Sequence, residues 1–291
     1  LEERDIRDPY LAYFGTALPE AYGVSYKPLP AFLRFTTGPE VDAFNPYTPP
    51  PGWYAISLSS LRLGLLHQNV DLYAYFRDKE PVARAGYSIN LYRVDYGEDT
   101  PVERTVVTGA SVADLTPQEL GVAAGKRLVV KWAATPETTI LPASSAADEA
   151  PQHVVDADFQ DAFTLLGYDL QSDIMVPGEP LQLVLTWRVG SAEMPQPAPA
   201  TAPPLAAFVH LTGEDPADIL SQYDGWGAAL TGLEAGDIVR QRVTLQLPDS
   251  PLLDAYYVQV GLYSPQSGER LSLQDNTTFV RLGPFPARRA Q

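Results

Sequence analysis

The sequence has no cysteine, which excludes disulfides, thiol nucleophiles and thiolate metal centres. That absence is silent about compartment, because an exported protein can do without cysteine. Histidine is nearly as scarce. His67, His153 and His210 are the only three, too few and too scattered to point to zinc or Ser-His-Asp chemistry. Basic residues are outnumbered, 20 against 36 acidic ones, for a formal net charge of −16. Nucleic acid and anionic membrane surfaces both need a basic footprint, so neither is expected as the main partner. No apolar run approaches the ~18–20 residues of a membrane span. The chain starts at Leu1 without a basic segment or an apolar h-region, so no signal peptide is visible and a trimmed or mature fragment is expected. There is no G-x-S-x-G elbow, no phosphate-cradling glycine loop and no histidine pair at i, i+4.

What is present is a chain of 291 residues, 45 % hydrophobic, which suits about two domains and argues against general disorder. Tyrosine is concentrated early, with 11 of 16 in the first 100 residues. Acidity is concentrated later: the first 100 residues hold nine basic and 13 acidic side chains, and the remainder 11 and 23.

The pattern predicts an α+β chain of two domains, residues 1–145 and 146–291. The first reads as a small Tyr-rich βαβαβ unit with a trailing strand pair. Tyr10–Phe14 suits a buried strand, followed by a turn through Pro19 to Tyr22 that Thr16 caps and Gly23 stops. Pro49-Pro50-Pro51 is a rigid approach to a strand over Trp53–Leu58. Asp71 caps a helix carrying Leu72, Tyr75 and Phe76, and Tyr87–Val94 alternates as a third strand, giving a mostly parallel sheet. Thr105–Val107 reads as a strand, and Thr116-Pro117-Gln118-Glu119 is a capping box. Arg127–Trp132 and Thr138–Leu141 look like two strands joined by a turn, ahead of a boundary loop at 143–151.

The second part reads as an antiparallel β-sandwich, jelly-roll or immunoglobulin-like. Leu181, Leu183, Leu185, Trp187 and Val189 alternate with more polar residues, and Val239, Val243, Leu245 and Leu247 do the same. Further strands are expected at 163–170, 205–211, 256–263 and 278–282. Met194–Pro204 is a low-complexity, Pro-rich insertion, expected to be an extended loop.

Aromatics carry the functional lead, because a sugar ring offers apolar C–H faces to Trp or Tyr while carboxylates take its hydroxyls. The candidates are Tyr22, Tyr47, Trp53 and Tyr54 in the first part, and Tyr223, Asp224 and Trp226 in the second. The same rings equally suit core packing, and that alternative stays open. His210 shares a strand face with Phe208, which favours a structural imidazole. Asp215 with Asp218, or Asp169 with Asp173, offers oxygen ligands for calcium, but turn residues have the same composition and no EF-hand spacing is present. No metal and no cofactor is expected.

Several short strings occur together. In the first part they are Tyr13-Phe14-Gly15-Thr16-Ala17, Pro51-Gly52-Trp53-Tyr54-Ala55-Ile56-Ser57, Asp71-Leu72-Tyr73-Ala74-Tyr75-Phe76-Arg77 and Gly86-Tyr87-Ser88-Ile89. In the second they are Leu166-Gly167-Tyr168-Asp169-Leu170, Phe208-Val209-His210-Leu211, Gln222 with Asp224-Gly225, Gly261-Leu262-Tyr263 and Gly268-Glu269-Arg270-Leu271. Together they resemble the C-terminal extracytoplasmic region of large multi-pass glycosyltransferases of the dolichyl-phosphate-mannose–protein mannosyltransferase-like class, found in Chloroflexus-like bacteria. In that family the catalytic carboxylate lies in the membrane part, which is not in this chain. The resemblance therefore implies a non-catalytic accessory region, tethered outside the cytoplasm, that positions or binds a glycan or glycosylated acceptor beside the transmembrane part of the same parent chain. A stand-alone carbohydrate-binding or adhesive module is the alternative, and a glycoside hydrolase a third.

Overall fold

Short runs of alternating apolar residues give this chain many strands and few helical turns. The computed structural model describes residues 6–15, 18–30, 38–66, 70–144, 150–172, 174–192, 205–249 and 253–287. Thr16, His67, Asp173 and the Met194–Pro204 insertion lie outside them, as does most of the 143–151 loop. Most of the regular structure is β, in several sheets, so the chain is β-rich α+β. It divides into two compact units: Leu1–Ala134 with Ala228–Gly232, and most of the remainder.

The first unit has a five-stranded sheet built from β1 (Tyr10–Ala12), β2 (Lys27–Pro28), β3 (Gly52–Ser57), β4 (Ala83–Ala85) and β5 (Ile89–Val94), in the order β2-β1-β3-β5-β4. β1 pairs in parallel with β2 and β3, but β5 runs antiparallel to both β3 and β4. The mostly parallel βαβαβ reading is thereby corrected: β4 and β5 form a hairpin, with Gly86 at φ 59° in its connection. The helix expected after Asp71 is only a 3-10 turn, Ala74–Phe76. Asp71 bonds the Tyr73 backbone N–H and the Arg77 guanidinium, and the Leu72, Tyr73 and Phe76 side chains are buried. A helix that was not expected, α1 (Leu58–Leu63), follows β3 directly, with the Ser57 hydroxyl accepting from Ser60 N–H as its cap.

Alternation sorts the side chains of this sheet. Tyr54, Ile56, Tyr92 and Val94 bury into one cluster with Leu72, Tyr73 and Phe76. Ala55 and Leu91 point the other way, with Ile6, Trp53 and Ile89. A parallel pair, β6 (Val102–Thr108) and β7 (Arg127–Ala133), completes the unit. The capping box forms as expected at the start of α2 (Pro117–Leu120). Glu40 accepts backbone N–H groups from Leu230 and Thr231, holding the 228–232 segment in this unit.

The second unit has two antiparallel sheets. One contains β8 (Thr138–Leu141), β9 (His153–Phe159), β10 (Phe163–Leu170), β11 (Pro180–Val189) and β14 (Ile238–Gln246), ordered β8-β14-β11-β10-β9. The other contains β12 (Ala206–Thr212), β13 (Ile219–Asp224), β15 (Ala255–Tyr263) and β16 (Val280–Pro286), ordered β13-β12-β15-β16. β8 pairs with β14, not with β7, so the expected trailing strand pair does not form. Leu181, Leu183, Leu185, Trp187 and Val189 all face the core, as their spacing requires. Gly167 sits at a register shift in β10, where a Cβ would come within 2.1 Å of the His153 carbonyl oxygen. That close approach admits only glycine.

Candidate functional site

In neither unit do the side chains nominated by sequence, seven in all, gather at one place. Tyr54 is 0 % exposed; its ring stacks on Tyr10 at 4.6 Å and its hydroxyl donates to the Pro50 carbonyl. Trp226 is 3 % exposed, wedged against Phe163 and Trp187, with its indole N–H donating to Leu205 O at 3.0 Å. Neither ring presents a face to solvent, so both are corrected from glycan contacts to core residues. Tyr47 is half-buried. Its hydroxyl donates to Leu115 O at 3.0 Å, and burial, then the Asp71 and Glu119 charges, pushes its phenol up to about 12. Trp53 packs on the Ile6–Ala55–Leu91 cluster, with the Arg93 guanidinium 5.4 Å from its ring centre.

Tyr22 alone among the seven is strongly exposed, at 77 %. It ends a 3-10 turn (Pro19–Tyr22) and lines an open cleft of about 290 Å³ with Leu11, Tyr13, Ala55, Ile89 and Leu91. The cleft lies on the sheet face opposite the Tyr54 core, because Leu11, Ala55 and Leu91 alternate with residues of that core. Tyr13 had been placed inside the first strand by its sequence; β1 instead ends at Ala12, leaving Tyr13 and Phe14 exposed. Among the described residues, no charged side chain lines the cleft. It therefore suits apolar or aromatic contact.

Tyr223 and Asp224 end β13 and point to opposite faces. Tyr223 pairs with Val209, whereas Asp224 lies across from Phe208 on the outer face. On that face the Asp224 carboxylate is bonded to the Tyr263 hydroxyl and lies 3.9 Å from His210 Nε2. His210 is buried, and burial, against the pull of Asp224, lowers its pKa below the usual histidine value. His210, Tyr263 and Arg270 were not nominated as ligand contacts. The shared face of Phe208 and His210 was the one signal for them in the sequence.

Of the carboxylates suggested for calcium, Asp173 lies outside the described residues, and two of the others have partners. Asp169 pairs with Arg240 at 2.9 Å, and Asp215 accepts the Ala217 N–H. Among the described residues, no group of three or more His, Asp or Glu side chains could hold a metal ion. No helix among them is long and apolar enough to cross a membrane. No family model matches the chain, and no curated protein matches it in sequence.

Proposed function

We propose that this chain is the extracytoplasmic accessory region of a membrane glycosyltransferase, acting by binding, and that its first unit engages an apolar part of the acceptor, such as a protein side chain. The observation that carries this is the cleft of about 290 Å³, whose described lining side chains are apolar apart from the Tyr13 and Tyr22 hydroxyls. A surface of this kind gains affinity by removing apolar area from water, at about 25 cal/mol per Å² before the costs of association. The resemblance to mannosyltransferase-like chains supplies the membrane context and the transmembrane partner; the cleft supplies the means of contact.

The finer fold belongs to the same proposal. The first unit is a small domain built on a mixed sheet with short helical turns. The second is an immunoglobulin-like rather than jelly-roll domain: β10-β11-β14 follows the A-B-E order and β13-β12-β15-β16 the C′-C-F-G order.

The test is calorimetric titration with short acceptor-like peptides bearing apolar side chains. Saturable binding at up to millimolar peptide is expected, and Ala85→Trp, which fills the cleft from β4, should abolish it while leaving the thermal midpoint within a few degrees. Absence of binding by the unsubstituted chain, or binding indifferent to Ala85→Trp, overturns the proposal.

A further inference from the structure

We infer that the outer face of the four-stranded sheet carries a separate site for adjacent hydroxyls of a neutral sugar ring, formed by Asp224, His210, Tyr263 and Arg270. It rests on the acceptor-binding reading only in supplying the saccharide contact that the apolar cleft lacks.

Backbone pairing brings four separate segments together here. β12 sets Phe208 and His210 on the outer face. Register then places Asp224 of β13 against one side of Phe208 and Gly261 of β15 against the other. The Phe208 ring lies so close over Gly261 that a Cβ there would come within 2.4 Å of it. Tyr263 ends β15 and bridges in backbone to Arg270, which returns from a turn closed by the Gly268 N–H to Ser264 O bond. The Arg270 guanidinium sits 4.4 Å from the centre of the Phe208 ring. Phe208 in turn lies 5.0 Å from the His210 ring and 6.2 Å from that of Tyr263.

These groups have unused hydrogen-bonding capacity. His210 is more than nine-tenths buried, its Nδ1 has no partner among the described residues, and its Nε2 stops 3.9 Å short of Asp224. A buried imidazole nitrogen left without a partner is a cost to the fold that a ligand can relieve. Arg270 has a ring beneath it but no carboxylate partner among the described residues, so its N–H edge remains available. Asp224 is bound on one side by the Tyr263 hydroxyl and keeps about a third of its side chain exposed.

Charge selects the ligand class. A phosphate or sulfate drawn by Arg270 would meet the Asp224 carboxylate, and a cation drawn by Asp224 would meet Arg270. A neutral pair of adjacent hydroxyls satisfies both, donating to the carboxylate while accepting from the guanidinium, in charge-assisted bonds. The half-buried Tyr263 ring adds a surface for the C–H face of a pyranose.

The experiment is ligand-observed NMR and calorimetry on the whole chain with methyl α-mannoside, methyl β-glucoside, inorganic phosphate and glycine as probes. Saturable binding of at least one glycoside is expected, with none of phosphate. Asp224→Asn and Arg270→Met, the latter keeping an apolar stem over Phe208, should each weaken it at least about tenfold. Ala85→Trp should leave it unchanged, which separates this site from the cleft. Preferential binding of phosphate or of zwitterionic glycine overturns the inference. So does binding of neither glycoside, or glycoside affinity indifferent to both substitutions.

Discussion

The two units solve the problem of a core in different materials. The first packs phenols: Tyr10, Tyr54, Tyr73, Tyr92 and Tyr96 lie in or against one cluster, with hydroxyls led out to backbone carbonyls such as Pro50, Pro30 and Pro49. The second packs aliphatic side chains around Trp187 and Trp226, with strands of up to ten residues against at most seven in the first. Long strands supply their backbone hydrogen bonds from one another. Short strands joined by Pro-rich loops leave carbonyls that side chains must satisfy, and tyrosine does this while still burying a ring. The same contrast shapes the candidate sites: an apolar cleft beside a tyrosine core in one unit, a polar cluster fixed by sheet register in the other.

The largest expected effect breaks the second unit at its centre. Trp187 is fully buried, tilted on Phe159 at 5.9 Å and edge-on to Trp226 at 5.3 Å. Trp187→Ala should cost about 3–5 kcal/mol, since the lost contacts leave a cavity that neighbouring strands cannot close. Guanidinium unfolding followed by tryptophan fluorescence reads this, because Trp53 and Trp132 report on the first unit and Trp226 on the second. A loss under about 1 kcal/mol would mean that the aromatic centre is not what holds the sandwich-like sheets.

How much of this was legible follows from one-sided burial. Leu181 to Val189 and Val239 to Leu247 alternate cleanly because one face meets a core and the other does not. The α2 capping box was legible because Thr116 and Glu119 need only each other. The edge strands β9 and β13 were missed, since both faces of an edge carry polar residues and the period-2 signal fades. Strand direction in the first sheet was also hidden: nothing local to β5 states that it runs against β3. At the candidate sites, residue type alone does not say which rings are exposed. Tyr54 and Tyr22 look alike in sequence, but strand phase puts Tyr54 in the core, while Tyr22 ends a 3-10 turn beside the cleft. Asp224 was nominated from the sequence, whereas its neighbours Tyr263 and Arg270 come from later segments that only pairing brings near.

A smaller effect should separate the units by pH, in opposite directions. Burial raises the phenol pKa of Tyr47 to about 12, and those of Tyr10, Tyr54, Tyr73 and Tyr96 also rise through burial. The unfolded chain releases these protons near pH 10 and the folded one does not. The stability they contribute is therefore full below about pH 10 and is lost as pH climbs through the raised values. His210 works from the other side. Burial lowers its pKa, Arg270 lowers it further and Asp224 opposes both. The unfolded chain then takes up the proton first, so the second unit is stabilised above about pH 6.5 and loses that contribution as pH falls below it. Denaturant midpoints across pH, with phenolate absorbance and His210→Phe as controls, would show this. The comparison fails if His210→Phe leaves the acid limb unchanged.

The smallest effect on stability is expected where the proposed function is greatest. Tyr22 ends a 3-10 turn, is 77 % exposed and lines the cleft wall. Exposed rings away from caps and special backbone positions rarely contribute more than about 0.5 kcal/mol, so Tyr22→Ala should leave the unfolding midpoint almost where it was. Peptide affinity at the cleft should nevertheless fall several-fold, because the ring is part of the apolar surface removed from water on binding. Calorimetry and denaturation on the same protein sample decide the matter. A variant that loses stability but not affinity would make Tyr22 a packing residue like Tyr54, and the contrast between a buried tyrosine core and an exposed tyrosine rim would collapse into a single core.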